Sequence, residues 1–190
     1  RDLVRSRGLG DVYKRQIMGT GANPDAVAKL GMAVCKAIAA FKGWKYRSPF
    51  MEKLFFSGDF QKFDMSGTHP ENSWLTKDTE IVRFYYSEPR CTFKFTLKAY
   101  YDFLKTVYYV NRKENVEKIP KDLPILMVAG DCDPVGEFGK AVKRVYEMYK
   151  AAGINDVTLK LYENDRHEIL NETDKERVFD DIFNWCESRQ

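Results

Sequence analysis

The sequence predicts an α/β fold, and three neighbouring patterns between Leu123 and Tyr162 carry that prediction. Leu123 to Ala129 is a short apolar run that stops at Gly130, the mark of a strand buried on both faces. From Phe138 onward, Val142, Val145, Met148, Tyr149 and Ala152 recur at the spacing of one helical face, and Gly153 supplies a C-terminal stop. Val157, Leu159 and Leu161 then alternate with Thr158, Lys160 and Tyr162, the period of a half-buried strand. Strand, helix, strand in this order is a βαβ unit, so the two strands should be parallel neighbours joined by a right-handed crossover.

Sites in open parallel sheets form beyond the carboxyl ends of the strands. The first strand is followed by Asp131 and Asp133, the second by His167. Parallel strands bring both loops to one sheet edge, so a carboxylate and an imidazole 34 positions apart can meet there. A carboxylate that accepts from one imidazole nitrogen fixes the tautomer and leaves the other nitrogen as a base.

The stretches GDCDPVG (Gly130 to Gly136) and RHEILNE (Arg166 to Glu172) resemble the acid and histidine loops of α/β-hydrolases. Within that fold they are most similar to the monoacylglycerol lipase, lysophospholipase and serine-aminopeptidase-like branch. The resemblance implies a triad in the chain order Ser, Asp, His, with Asp133 as its acid, His167 as its base and Asp131 as a supporting turn residue. It also implies hydrolysis of a carboxylic ester, a monoacylglycerol or lysophospholipid, with no metal or organic cofactor. An inactive hydrolase-fold scaffold and a peptidase of the same fold are the alternatives. Cys132 occupies a variable slot between two acids that would raise its thiol pKa, which argues against a nucleophile. Glu168 reads as a helix-entry or salt-bridge residue.

No G-x-S-x-G occurs in the 190 residues. The expectation is therefore the C-terminal portion of such a hydrolase, with the nucleophile and oxyanion loop in roughly 120 to 150 residues upstream, at about 30 per βα repeat. Residues 1–16 lack apolar periodicity and read as a non-native, adapter-derived segment. Residues 17–21 (IMGTG) read as the end of a core strand and 22–118 as an inserted helical cap. Within it, Ala26 to Phe41 is almost continuously apolar, as expected of a buried helix or the wall of an acyl pocket shared with the aromatic stretch Phe93 to Tyr109. Ser57 to Pro70 reads as a loop that places His69 at the surface, and Trp74 to Asp78 opens a second helical region matching the family's W-L-x-x-D segment. Residues 119–190 return to the core. Thr173 and Glu176 form a capping box for a last helix whose apolar face is Phe179, Ile182, Phe183 and Cys186.

The net charge of +3 resides in residues 1–16, which hold five basic and two acidic groups; the other 174 carry 26 of each. Nucleic-acid binding thereby loses its main electrostatic support. The four cysteines are far apart and suggest neither a zinc site nor a disulfide framework, as in a cytoplasmic protein. The partners implied are a lipid-like or small ester substrate, no nucleic acid, and at most a transient contact with a membrane surface.

Overall fold

The apolar run becomes the middle strand of a three-stranded parallel sheet ordered β1-β2-β3. In the computed structural model, which describes residues 14–22 and 24–189, β1 is Arg15–Met18, β2 is Ile125–Gly130 and β3 is Val157–Tyr162. Ile17 lies opposite Met127, and Ile125 opposite Val157. All six residues of β2 are buried, because both faces of the sheet are covered. On one face Ile125, Met127 and Ala129 pack against Val142 and Val145 of α6, Lys140–Ala151. On the other, Leu126, Val128 and Tyr162 meet Val178 and Trp185 of α7, Glu176–Glu187.

Several boundaries and faces differ from the sequence reading. β1 begins at Arg15, inside the segment set aside through Gln16, and Lys14 donates to the Cys186 carbonyl at 2.6 Å. The rest of that segment, residues 1–13, lies outside the described residues. β3 is covered on both faces rather than one: Thr158 accepts from the Trp185 indole (3.2 Å), Lys160 pairs with Asp181, and the buried Tyr162 donates to Asp181 (3.1 Å). Period two holds, but the polar face is folded under α7.

The sixth helix starts at Lys140, not Phe138, because Glu137, Phe138 and Gly139 all have positive φ (50°, 54° and 83°). Phe138 serves the turn instead, its ring 6.4 Å from that of Phe63. No capping box forms at α7: Lys175 precedes the helix without a side-chain cap. The buried face of α7 is Val178 and Trp185, with Ile182 and Cys186 at its margin, while Phe179 and Phe183 are exposed.

Residues 24–118 carry the helices α1 Asp25–Lys42, α2 Pro49–Phe55, α3 Thr79–Ser87, α4 Leu97–Val110 and α5 Lys113–Val116, joined by irregular stretches. The first helix buries only a stripe of small residues, Ala28, Gly31, Cys35 and Ala39, against α4. Leu104 fits so closely over Gly31 that a Cβ there would lie 2.7 Å from its Cδ1. Val27, Leu30 and Phe41 are exposed, so the apolar composition of this helix does not mean burial all round. Phe93 and Phe95 precede α4 and do not share its periodicity. Trp74 to Asp78 is not helical; Asp78 is the N-cap of α3, accepting from the N–H groups of Glu80 and Ile81. Among the described residues, no helix is long and apolar enough to cross a membrane.

Candidate active site

Three chain segments converge at the carboxyl ends of the three strands. After β1, Gly19 donates its N–H to Val128 (3.1 Å) and its φ is 57°. A side chain at Gly19 would press on the imidazole of His167, 3.0 Å from its Cε1. After β2 comes Asp133, wholly buried; after β3 comes His167, 29% exposed. His167 Nδ1 lies 3.0 Å from Asp133 Oδ2. The other carboxylate oxygen of Asp133 accepts from the Val135 N–H at 2.8 Å, which holds the acid in this orientation. With the Nδ1 proton directed at the carboxylate, Nε2 keeps its lone pair and can act as a base.

Asp131 is not at the imidazole. Its carboxylate accepts the N–H of Asn164 (2.8 Å), which has φ of 61°, so it braces the turn after β3. Burial pushes the Cys132 thiol up in pKa, and Asp131 pushes it further. Glu168 accepts from the Asn171 amide at 2.8 Å. His69 is 72% exposed and stands 3.3 Å from Glu71, remote from these contacts.

What the sequence patterns miss is the set of contacts by which residues 71–77 clasp the histidine loop. The Trp74 indole lies over the imidazole, ring centroids 5.3 Å apart. Its carbonyl accepts from the His167 N–H (3.3 Å), and the Leu75 carbonyl accepts from Glu168 (2.8 Å). Glu172, wholly buried, accepts from the Thr76 hydroxyl (3.0 Å), the Lys77 N–H (2.8 Å) and the Arg166 N–H (2.7 Å). Arg166 donates to the carbonyls of Ser73, Thr76 (3.2 Å) and Glu71 (2.9 Å). Burial lowers its pKa.

Asp165, Glu172 and Asp174 offer carboxylate oxygens within 4.8 Å of one another, and side-chain cations lie among them. The Lys77 ammonium is 2.6 Å from Asp165 and 3.1 Å from Asp174. Arg177 is 2.9 Å from each of the same two acids. Burial opposes the Lys77 charge, but Asp165 and Asp174 outweigh it and raise the pKa. Thr76 and Lys77 fall with Trp74 inside the W-L-x-x-D segment, and Arg166 and Glu172 bound the histidine loop, but no local pattern pairs them: Lys77 lies some 90 positions from Asp165 and Glu172.

A cavity of about 600 Å³ adjoins Trp74 and is lined by Phe56, Met65, Tyr85, Tyr86 and Phe93 among others. No residue of α1 lines it, and the stretch Phe93 to Tyr109 contributes Phe93 and Lys94 alone. The small-residue stripe of α1 packs against α4 instead of this cavity.

Comparison with known proteins places the chain among hydrolases. Residues 26–174 match the family model for serine aminopeptidase, S33. A highly thermostable carboxyl esterase from Bacillus coagulans, solved with glycerol, superposes with a TM-score of 0.80 at 23% identity, covering 97% of this chain and 59% of that one. A lipase in its open form gives 0.69 at 22%, covering 88% and 54%. A soluble variant of the monoglyceride lipase from Saccharomyces cerevisiae, with a substrate analogue, gives 0.63 at 18%, covering 97% and 58%. The chain thus spans between 54% and 59% of the length of these three structures. The fold they share is that of α/β-hydrolase esterases and lipases. A sequence comparison with curated proteins found no match.

Two outcomes follow from the site geometry. A Cβ at Gly130 would sit 2.0 Å from the Asp165 carbonyl oxygen, whereas one at Gly153 meets nothing within 4 Å. Gly130→Ala should therefore cost about 3 kcal/mol or more in urea unfolding, and Gly153→Ala about 1 kcal/mol of backbone strain; equal costs would refute the close approach of the loops. Because a raised pKa leaves less thiolate at pH 8, iodoacetamide should alkylate Cys132 more slowly than a free cysteine, with the rate still climbing above the ordinary thiol range near 8.5. Site-resolved mass spectrometry checks this, and labelling as fast as free cysteine would contradict it.

Proposed function

The chain belongs to the serine aminopeptidase S33 family, and on that premise we propose that its parent protein is a serine hydrolase of carboxylic esters. The observation that carries this reading is the 3.0 Å contact between His167 Nδ1 and the buried carboxylate of Asp133 at the ends of adjacent parallel strands. A serine from outside these 190 residues attacks the ester carbonyl. His167 takes the hydroxyl proton at Nε2 and returns it to the departing alcohol, leaving an acyl-serine. The same nitrogen then deprotonates a water that attacks the acyl carbonyl and passes that proton to the departing serine oxygen, which frees the acid and restores the serine. Asp133 keeps the imidazole in the productive tautomer and stabilises the imidazolium, without itself gaining a proton. The groups that hold the oxyanion likewise come from outside the chain.

Residues 22–118 serve as the cap over this site, and residues 119–190 as its part of the core. The substrate we propose is a monoacylglycerol or lysophospholipid. The aromatic cavity beside Trp74 supports an apolar acyl chain, its Phe56 and Trp74 rings lying 6.3 Å apart. Four free cysteines fit a reducing, cytoplasmic setting.

The chain by itself should not react with a fluorophosphonate serine probe, whereas the full-length parent should be labelled once and hydrolyse long-chain monoesters. In the parent, Asp133→Asn should lower kcat by about 10⁴-fold, and Phe56→Asp should impair long-chain esters more than acetate esters. Labelling of the isolated chain at Ser57 or Ser66, or full activity in Asp133→Asn, would overturn the assignment.

A further inference from the structure

We propose that the surface made by the end of α1, the turn into α2 and residues 91–96 before α4 is a docking face for an anionic lipid bilayer. Phe41 to Arg47, FKGWKYR, is a run of seven consecutive exposed residues with three aromatics and three charges, all of them positive. Gly43, at φ of 80°, turns the chain after the helix end. The run is held in place rather than loose. Trp44 and Tyr46 carbonyls accept from the N–H groups of Lys98 (3.1 Å) and Leu97 (2.9 Å), and Arg47 donates to the Lys94 carbonyl (3.1 Å). Trp44 also rests edge-on against Tyr101, ring centroids 5.3 Å apart.

Large apolar side chains stand out from this ordered base. Phe41 is 89% exposed, and Phe50 and Phe93 are each 60% exposed. Phe50 and Leu54 lie one turn apart on α2 and are exposed, in contrast to the buried Met51, with the exposed Lys53 beside them. Around them the charge is one-sided. Residues 41–54 and 91–98 together hold six lysines and arginines against Glu52 alone, so the other 168 residues carry 25 basic and 27 acidic groups. Glu52 is bound to Lys94 (3.0 Å), and the nearby Asp102 to Lys98 (2.6 Å).

Exposed rings and aliphatic side chains ringed by lysines with long apolar stems match a bilayer interface, where the apolar groups enter and the cations stay at anionic headgroups. A nucleic-acid strand would use the rings and cations but gives no partner to Leu54 or to the apolar turn of α2. A second feature points the same way: Lys53, Phe93 and Lys94 belong both to this face and to the wall of the cavity that reaches Trp74. Docking here needs neither Asp133 nor His167, so it stands or falls apart from the catalytic assignment.

Flotation of the full chain with phosphatidylcholine vesicles, with and without phosphatidylserine, tests the assignment. Binding should require phosphatidylserine and weaken with salt. Each cation contributes about fivefold to partitioning, so K42Q/K45Q/R47Q should bind about 100-fold more weakly. Phe41→Ser should lose about tenfold. All four positions are solvent-exposed, so unchanged circular dichroism is expected of the variants. The matched α6 variant K140Q/K143Q/K150Q and the N-terminal variant R1Q/R5Q/R7Q should bind as the unsubstituted chain does. Absence of phosphatidylserine-dependent flotation, an equal loss in either control variant, or binding to a single-stranded oligonucleotide in place of vesicles would overturn the assignment.

Discussion

The site depends on how closely the turn after β3 crosses the end of β2. The Cys132 N–H donates to the Asp165 carbonyl at 2.9 Å, and the Asp131 N–H to the Tyr162 carbonyl at 3.0 Å. That approach leaves no room for any side chain at Gly130, where even a methyl group would overlap backbone atoms of Asp165 and Arg166. Backbone cannot yield as a flexible side chain can, so this glycine sets the spacing of the two loops. Asp133 follows Gly130 by three residues and His167 follows Asp165 by two. The meeting of acid and imidazole is therefore built into the crossing of the two backbones.

A second layer keeps the histidine loop from swinging away. Asp165 and Glu172 are wholly buried, and an unpaired buried carboxylate would be costly. Asp165 is held by Lys77 and Arg177, and Glu172 by two backbone N–H groups and the Thr76 hydroxyl. These bonds join the loop after β3 to residues 74–77, which enter from the helical region, so that region and the sheet share one polar seam. Removing one member would strand a buried charge, which is why such pairs are strongly destabilising to break even where their net contribution is small. Trp74 is fixed by the same seam and covers the imidazole, linking it to the aromatic cavity.

The parallel strands, the crossover helix and the positions of Asp133 and His167 were legible because each is a local pattern: an apolar run, a 3.6-residue spacing, and short motifs at strand ends. Misreadings arose where tertiary contacts outweigh local preference. Thr173 and Glu176 had the spacing of a capping box, yet the buried carboxylate in that region is Glu172, which reaches across to Thr76 and Lys77. Phe138 has the spacing of a helical face but sits in a left-handed turn, and Phe179 and Phe183 share the periodicity of a core face while Val178 and Trp185 fill the core. The first helix misled through composition, since alanine and glycine permit close packing on one side without demanding burial on the other. No pairwise partner of Lys77 could be found by periodicity.

The central claim is that Asp133 holds His167 with its proton on Nδ1 and its lone pair on Nε2. With only two histidines in the chain, two-bond proton–nitrogen correlation spectra can resolve the tautomer of His167 directly, using His167→Gln to assign it. The account predicts that neutral His167 is the Nδ1–H tautomer and that Asp133→Asn, but not Asp131→Asn, weakens this preference. A neutral His167 protonated on Nε2, or a preference that responds to Asp131 instead, would contradict it.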